Sequence, residues 1–187
     1  MKMRLKRLII ISCSLLFTVC SAQASDFVGS VNGVLDYYLT GHSAKAAIQL
    51  RESMNVLWAE LPLAVDNSRI VKDLQSYVSR TDNSFKLGEP MNITWQILGY
   101  GVSQQGGGYA INIAMDTQVV AADGAVIKEQ KNVHQFSRLD PIRSTEFFAY
   151  LTYSIGKGVP GDYILRIHLR DLNSSKKTSF DVPFVLK

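Results

Sequence analysis

Cysteine is all but missing from this 187-residue sequence, and the two present, Cys13 and Cys20, both fall within the first twenty residues. Removing that stretch leaves no thiol, which excludes disulfide staples, thiol catalysis and cysteine-ligated metal. Histidine is scarce too: His42, His134 and His168 are scattered, with no pair at metal-ligand spacing. A second long apolar run is missing as well. After the first twenty-odd residues nothing approaches the roughly 20 apolar residues needed to span a bilayer, so the mature chain is expected not to cross a membrane.

The amino terminus carries the clearest signal. Lys2, Arg4, Lys6 and Arg7 precede an apolar stretch from Leu8 to Cys20, and small residues follow at Ala22 and Ala24. This is the pattern of a cleaved secretory signal peptide, residues 1–24, with the cut between Ala24 and Ser25. The expected location is periplasmic or secreted. The alternative is a lipid anchor through Cys20, although Val19 stands where a lipoprotein signal places a small residue.

Cleavage also changes the charge. The whole chain has 20 Lys+Arg against 16 Asp+Glu. Four of the cations and none of the anions leave with residues 1–24, so the remainder is neutral. The basic pI therefore belongs to the targeting segment and gives no footprint for nucleic acid. The remaining length is enough for one core-forming domain with a small appendage, since a domain near 150 residues buries roughly 70% of its unfolded surface.

Residues 25–66 read as a helical hairpin. Phe27, Val31, Val34, Leu35 and Tyr38 recur at helical period, and Gly41 stands where a left-handed cap is expected. Ser43 is expected to cap a second helix. Ala47, Leu50, Met54, Leu57, Trp58 and Leu61 fall on one stripe of that helix, which predicts burial of the stripe and of Trp58 within it. Pro62 ends the helix. Tyr38-Leu39-Thr40-Gly41, with Ala46, Ala47 and Leu50, resembles half of a tetratricopeptide unit, but no second copy follows and a solenoid needs about three.

From residue 67 to 187 the period becomes two. A first strand is expected at 70–80, followed by Met91–Ile97, Ile111–Val119, a weaker one at 125–136, Phe147–Ile155, Tyr163–Arg170 and Phe180–Phe184. Gly106-Gly107-Gly108, Ala122-Asp123-Gly124 and Asn173-Ser174-Ser175 mark the turns between them. Lys128 and Lys131 on the weak strand look like edge protection. About seven short antiparallel strands predict a mainly β fold: an immunoglobulin-like antiparallel β-sandwich behind the hairpin and the signal peptide. Tyr163, just after Val159-Pro160-Gly161-Asp162, fits a tyrosine corner, in which the hydroxyl bonds back to nearby backbone.

Phe85-Lys86-Leu87-Gly88-Glu89-Pro90, the Asp123-Gly124 turn, and Pro160-Gly161-Asp162-Tyr163 through Leu169-Arg170-Asp171 resemble uncharacterised secreted bacterial proteins with an immunoglobulin- or fibronectin-III-like sandwich. That resemblance spans residues 80–187. It implies the fold and is nearly silent about activity, because sandwiches host many functions.

No catalytic motif stands out. Asp171, Asn173 and Ser175 open like a calcium loop, but Lys176 stands where glycine is required and Val182 where a bidentate glutamate is. Ser154 lacks the preceding glycine of a nucleophile elbow. Asp116, Glu129, Asp140 and Glu146 are the carboxylates a hydrolase would draw on, and no spacing groups them. Two sets of residues suggest binding. Tyr100 and Tyr109 flank a glycine-rich connection with Gln104 and Gln105, an aromatic-amide set suited to a sugar or a peptide. Arg166, His168 and Arg170 form a cationic row on one strand face, suited either to an anion or to cross-strand partners such as Asp181. The expectation is a non-enzymatic, cofactor-free and metal-free interaction protein. Its partner would be another envelope or extracellular protein, with a carbohydrate- or peptide-binding module as the alternative.

Overall fold

A computed structural model describes residues 27–187. The signal peptide, its cleavage residues Ala22, Ala24 and Ser25, and Cys20 lie outside the described residues. The chain divides into two compact units, with the boundary between Trp58 and Ala59.

The first unit holds the helical hairpin, α1 over residues 27–39 and α2 over Ser43–Glu60, except for the last two residues of α2. Gly41 takes φ 78°, the left-handed conformation expected of the cap. His42, rather than Ser43, occupies the capping position of α2, since its carbonyl accepts the first helical bond from the Ala46 amide.

The helices meet through a face the apolar pattern did not mark. Ala46 and Ser53 are buried, and Gln49 and Ser53 bond to Ser30 of α1 and to each other's turn. Small polar residues let the two backbones approach closely. The apolar stripe is left outside: Leu50, Met54 and Leu57 are exposed, and Trp58 is half-buried rather than buried. The period was right and the buried side was wrong, because a hairpin can close through small residues and leave larger ones out.

The second unit is built from nine strands: β1 Ala64–Val71, β2 Ser84–Phe85, β3 Met91–Leu98, β4 Ser103–Gln105, β5 Gly108–Ala121, β6 Val126–Asp140, β7 Phe147–Tyr153, β8 Gly161–Asp171 and β9 Lys177–Leu186. One sheet runs β1-β3-β7. The other runs β2-β9-β8-β5-β4, with β6 also paired to β5. All pairings are antiparallel except β2 with β9, which is parallel. The chain leaves the first sheet after β3, builds β4 to β6 in the second, and returns for β7. This is a Greek-key crossing.

Alternation places the core between the sheets. Ile93, Trp95 and Ile97 of β3 face Ile113 and Met115 of β5 and Leu165, Ile167 and Leu169 of β8, all at most 1% exposed. Each such side chain contributes roughly 1.5–3 kcal/mol on burial. Trp95 joins the layers, with ring centroids 5.3 Å from Phe180 and 6.1 Å from Phe136. The Tyr163 hydroxyl donates to the Val159 carbonyl at 2.8 Å, forming the tyrosine corner. A buried tryptophan, the corner and the crossing identify an immunoglobulin-like antiparallel β-sandwich. Tyr163→Phe should lower stability by about 1 kcal/mol, read as a melting point lower by roughly 4 °C. An unchanged melting point would remove the corner from the account.

The strands differ from the sequence reading in several of their ends, and the short β2 and β4 raise the expected seven to nine. The first strand is Ala64–Val71, not 70–80. After Val71 the chain turns out around Asp73, whose carboxylate accepts bonds from the Gln75 and Ser76 amides and the Ser76 hydroxyl. The chain returns at Arg80, whose amide bonds the Ile70 carbonyl. The glycine-rich connection hides the short β4. Gln105 pairs with Gly108, so Gly106 and Gly107 form a two-residue turn, with φ 58° and 83°. That turn needs positive φ at both positions, which glycine supplies without strain. β6 is an edge strand carrying Lys128 and Lys131. At Asn132 (φ 52°) its register against β5 shifts, adding a bulge to the charges that guard the edge.

Candidate functional site

The cationic row on β8 is fully engaged by its neighbours. Asp181 on β9 takes the Arg166 guanidinium through two bonds of 2.8 Å. Asp116 on β5 accepts two bonds from Arg170, at 3.1 and 3.2 Å, and Asn132 takes a third. His168 Nε2 lies 3.2 Å from Gln118 Oε1. The row is thus a set of cross-strand partnerships, leaving little charge for an external anion.

Three of the four carboxylates weighed as acid-base candidates are taken up by neighbouring side chains of the sandwich. Arg170 holds Asp116, Arg138 holds Asp140 at 2.7 Å, and the Gln118 amide bonds Glu129. The Arg170 bonds hold the Asp116 carboxyl below its ordinary value of 3.8. Its contribution to stability is therefore complete above that value and is lost as pH falls through the lower folded one. Urea midpoints should drop as the pH falls below about 4, and Arg170→Gln should flatten that drop. Parallel pH profiles for the two proteins would contradict the assignment.

Tyr100 is not at the surface. It is 0% exposed, its ring lies 5.9 Å from Phe147, and its hydroxyl donates to the Ser144 carbonyl at 2.9 Å. Burial holds its phenol above the ordinary value. Gln104 and Gln105 are exposed on β4, and Gln104 pairs with a half-buried Tyr109. The expected pairing of two tyrosines around one loop therefore does not form, because Tyr100 was needed to fill the end of the core.

The calcium-like turn is a polar knot. Asp171 is 4% exposed. Its Oδ2 accepts from the Gly101 amide at 2.6 Å and from the Ser174 hydroxyl, and its Oδ1 from the Asn173 amide at 2.9 Å. Asn173 Nδ2 donates onward to the Gly101 and Ala110 carbonyls. Every carboxylate oxygen faces a donor from the chain itself.

An aromatic surface does exist, on the outer face of the β1-β3-β7 sheet. Along β7, Phe147 and Ala149 point into the core, so Phe148 and Tyr150 point out, at 67% and 58% exposed. Register sets Phe148 beside Gln96, and Tyr150 beside Thr94 and then Arg69. The bulge in β1 carries Asn67 at φ 52°. Tyr77, 52% exposed, closes one side from the loop held by Asp73. Its φ of 55° is a conformation bulky side chains rarely adopt. Such strain gathers at functional positions. Together these residues border a groove of about 540 Å³. Its contents suit a ligand with apolar ring faces and a polar rim. Aromatic planes take C–H surfaces, while Asn67, Gln96 and Thr94 offer donors and acceptors. Sequence reasoning used only the inward half of β7. The signal it left was a strand with aromatics on both faces, Phe147 and Phe148, then Tyr150 and Tyr153.

No protein-family model matches this sequence, and no curated protein matches it. Solved structures are similar to it at low identity. The alkylpurine DNA glycosylase AlkC of Pseudomonas fluorescens matches at 14% identity and TM-score 0.38 over 84% of this chain, which spans 42% of that one. A Niemann-Pick type C2 protein from the Japanese carpenter ant matches at 11% and 0.41, covering 68% of this chain and 94% of that one. An immunoglobulin-like protein from Pseudomonas aeruginosa matches at 14% and 0.35, covering 69% and 99%.

Among the described residues no helix is long and apolar enough to cross a membrane.

Proposed function

We propose that this chain is a non-enzymatic binding protein of the cell envelope or extracellular space, and that it holds a saccharide in the outer-face groove. The observation that carries this reading is the exposure of Phe148 and Tyr150 on a rigid sheet beside Tyr77 and Gln96. Large aromatic side chains left outside a well-filled core normally mark an interaction surface. A recess of about 540 Å³ falls within the range of small-ligand sites. The envelope location rests on the signal-peptide pattern of residues 1–24.

A photo-crosslinking amino acid in place of Tyr150, borne by the full chain in envelope extract, should capture glycan-containing material. The same group in place of Val159, 72% exposed, should capture none. Equal yields at the two positions, or capture at Tyr150 of protein without glycan, would overturn the reading.

A further inference from the structure

The groove carries one charged side chain among the residues that line it, Arg69. Four other arginines of the sandwich are matched. Arg80, Arg138, Arg166 and Arg170 each face a carboxylate within 3.3 Å. Arg69 is exposed and has no carboxylate partner among the described residues. The acidic residue of β1, Asp66, turns its two oxygens to the amide and the Nδ2 of Asn67, at 2.8 and 3.0 Å. The groove therefore presents an unmatched positive charge next to aromatic planes and neutral amides.

Register places this charge usefully. Arg69, Thr94 and Tyr150 lie in one row across three strands, so the backbones of Arg69 and Tyr150 stand roughly 9–10 Å apart. Thr94 between them is 8% exposed and forms the floor. A sugar ring stacked on Tyr150 would have its substituents directed toward the guanidinium. That fork takes a carboxylate through two parallel bonds, a geometry lysine cannot offer.

Resting on the saccharide reading of the groove, we propose that the site selects acidic saccharides: sugar units bearing a carboxylate, held by Arg69 while the ring stacks on Tyr150. The test is calorimetric titration of the full chain with a panel of oligosaccharides. The panel comprises oligogalacturonate, alginate and hyaluronan fragments and muropeptide, with the carboxyl-reduced form of each uronate. An acidic member should bind about tenfold or more tightly than its reduced form, as expected for a charge-assisted contact. Arg69→Gln should remove that preference, bringing the acidic form's affinity to within about twofold of the reduced form's. Tyr150→Ala should weaken both forms.

Equal affinity for acidic and reduced forms, or an unchanged preference in Arg69→Gln, overturns acid selection and leaves the groove in place. An unchanged affinity in Tyr150→Ala overturns the groove itself. If no acidic member binds, the inference falls. Melting points of both variants within about 2 °C of the parent, as surface changes allow, separate lost binding from lost folding.

Discussion

Asp171→Ala should destabilise the sandwich by about 3–5 kcal/mol, because it strands several buried donors at once. The Gly101 amide, the Asn173 amide and the Ser174 hydroxyl all donate to this carboxylate, which is 4% exposed. A buried donor left without an acceptor costs about 1–3 kcal/mol, and the Ser174 hydroxyl can recover part of that by turning toward water. In a domain of this size the expected drop in melting temperature is roughly 10–20 °C. Asp171→Asn should fall between the parent and the alanine variant. One oxygen survives to accept the Asn173 amide, but Nδ2 replaces the oxygen that took Gly101 and Ser174, so donors face donors. Gly101→Ala attacks the same knot from the other side. A Cβ there would stand 2.9 Å from Asp171 Oδ2 and 3.2 Å from the Ser174 Cβ. Thermal melts by circular dichroism decide the matter. An alanine variant that melts within 3 °C of the parent, where about 1 kcal/mol is the resolvable difference, would show that the knot contributes little.

Trp95→Ala should be as damaging, at about 3–5 kcal/mol. The side chain is 1% exposed and spans both sheets through Phe180 and Phe136. Alanine would leave a cavity the two sheets cannot close without shifting strand register. Trp95→Phe is the informative companion. The indole Nε1 is buried without a hydrogen-bond partner among the described residues, so phenylalanine removes an unsatisfied donor as well as volume. Its cost should therefore stay well below that of alanine, about 1–2 kcal/mol. Urea titration of the three proteins checks both statements. Equal losses in the two variants would mean that the Nε1 group is not a liability.

The sandwich was legible because several of its strands carry a clear alternation. Met91 to Ile97 and Tyr163 to Leu169 bury every second residue, and the local turn residues punctuate them where the hairpins close. The tyrosine corner was legible for a similar reason, since the Pro-Gly turn and the tyrosine are adjacent in sequence. Contacts between distant segments were harder. Nothing near Asp171 reveals that Gly101 will lie against it, and nothing near Tyr100 reveals that Ser144 will cover its hydroxyl. The α2 stripe failed for a different reason. Amphipathic period reports which residues share a face, while the choice of buried face depends on what the neighbouring helix offers, here Ser30. The aromatic groove was half visible. Phe148 and Tyr150 could be placed on the outward side of their strand by counting, but their company with Arg69, Asn67 and Gln96 depends on strand order in the sheet.

The chain has two tryptophans, and the boundary between the units leaves Trp58 in one and Trp95 in the other. Each unit thus carries its own optical reporter. Trp95 sits in a dry, aromatic-lined core, a setting that shifts indole emission to short wavelengths, and Trp58 is half-buried. Trp58→Phe would leave the sandwich alone lit, by a Trp95 that pairs with Ala149 across β3 and β7 and with it lines the groove. Unfolding of the sandwich would then be followed by colour, without a label and without separating the pieces.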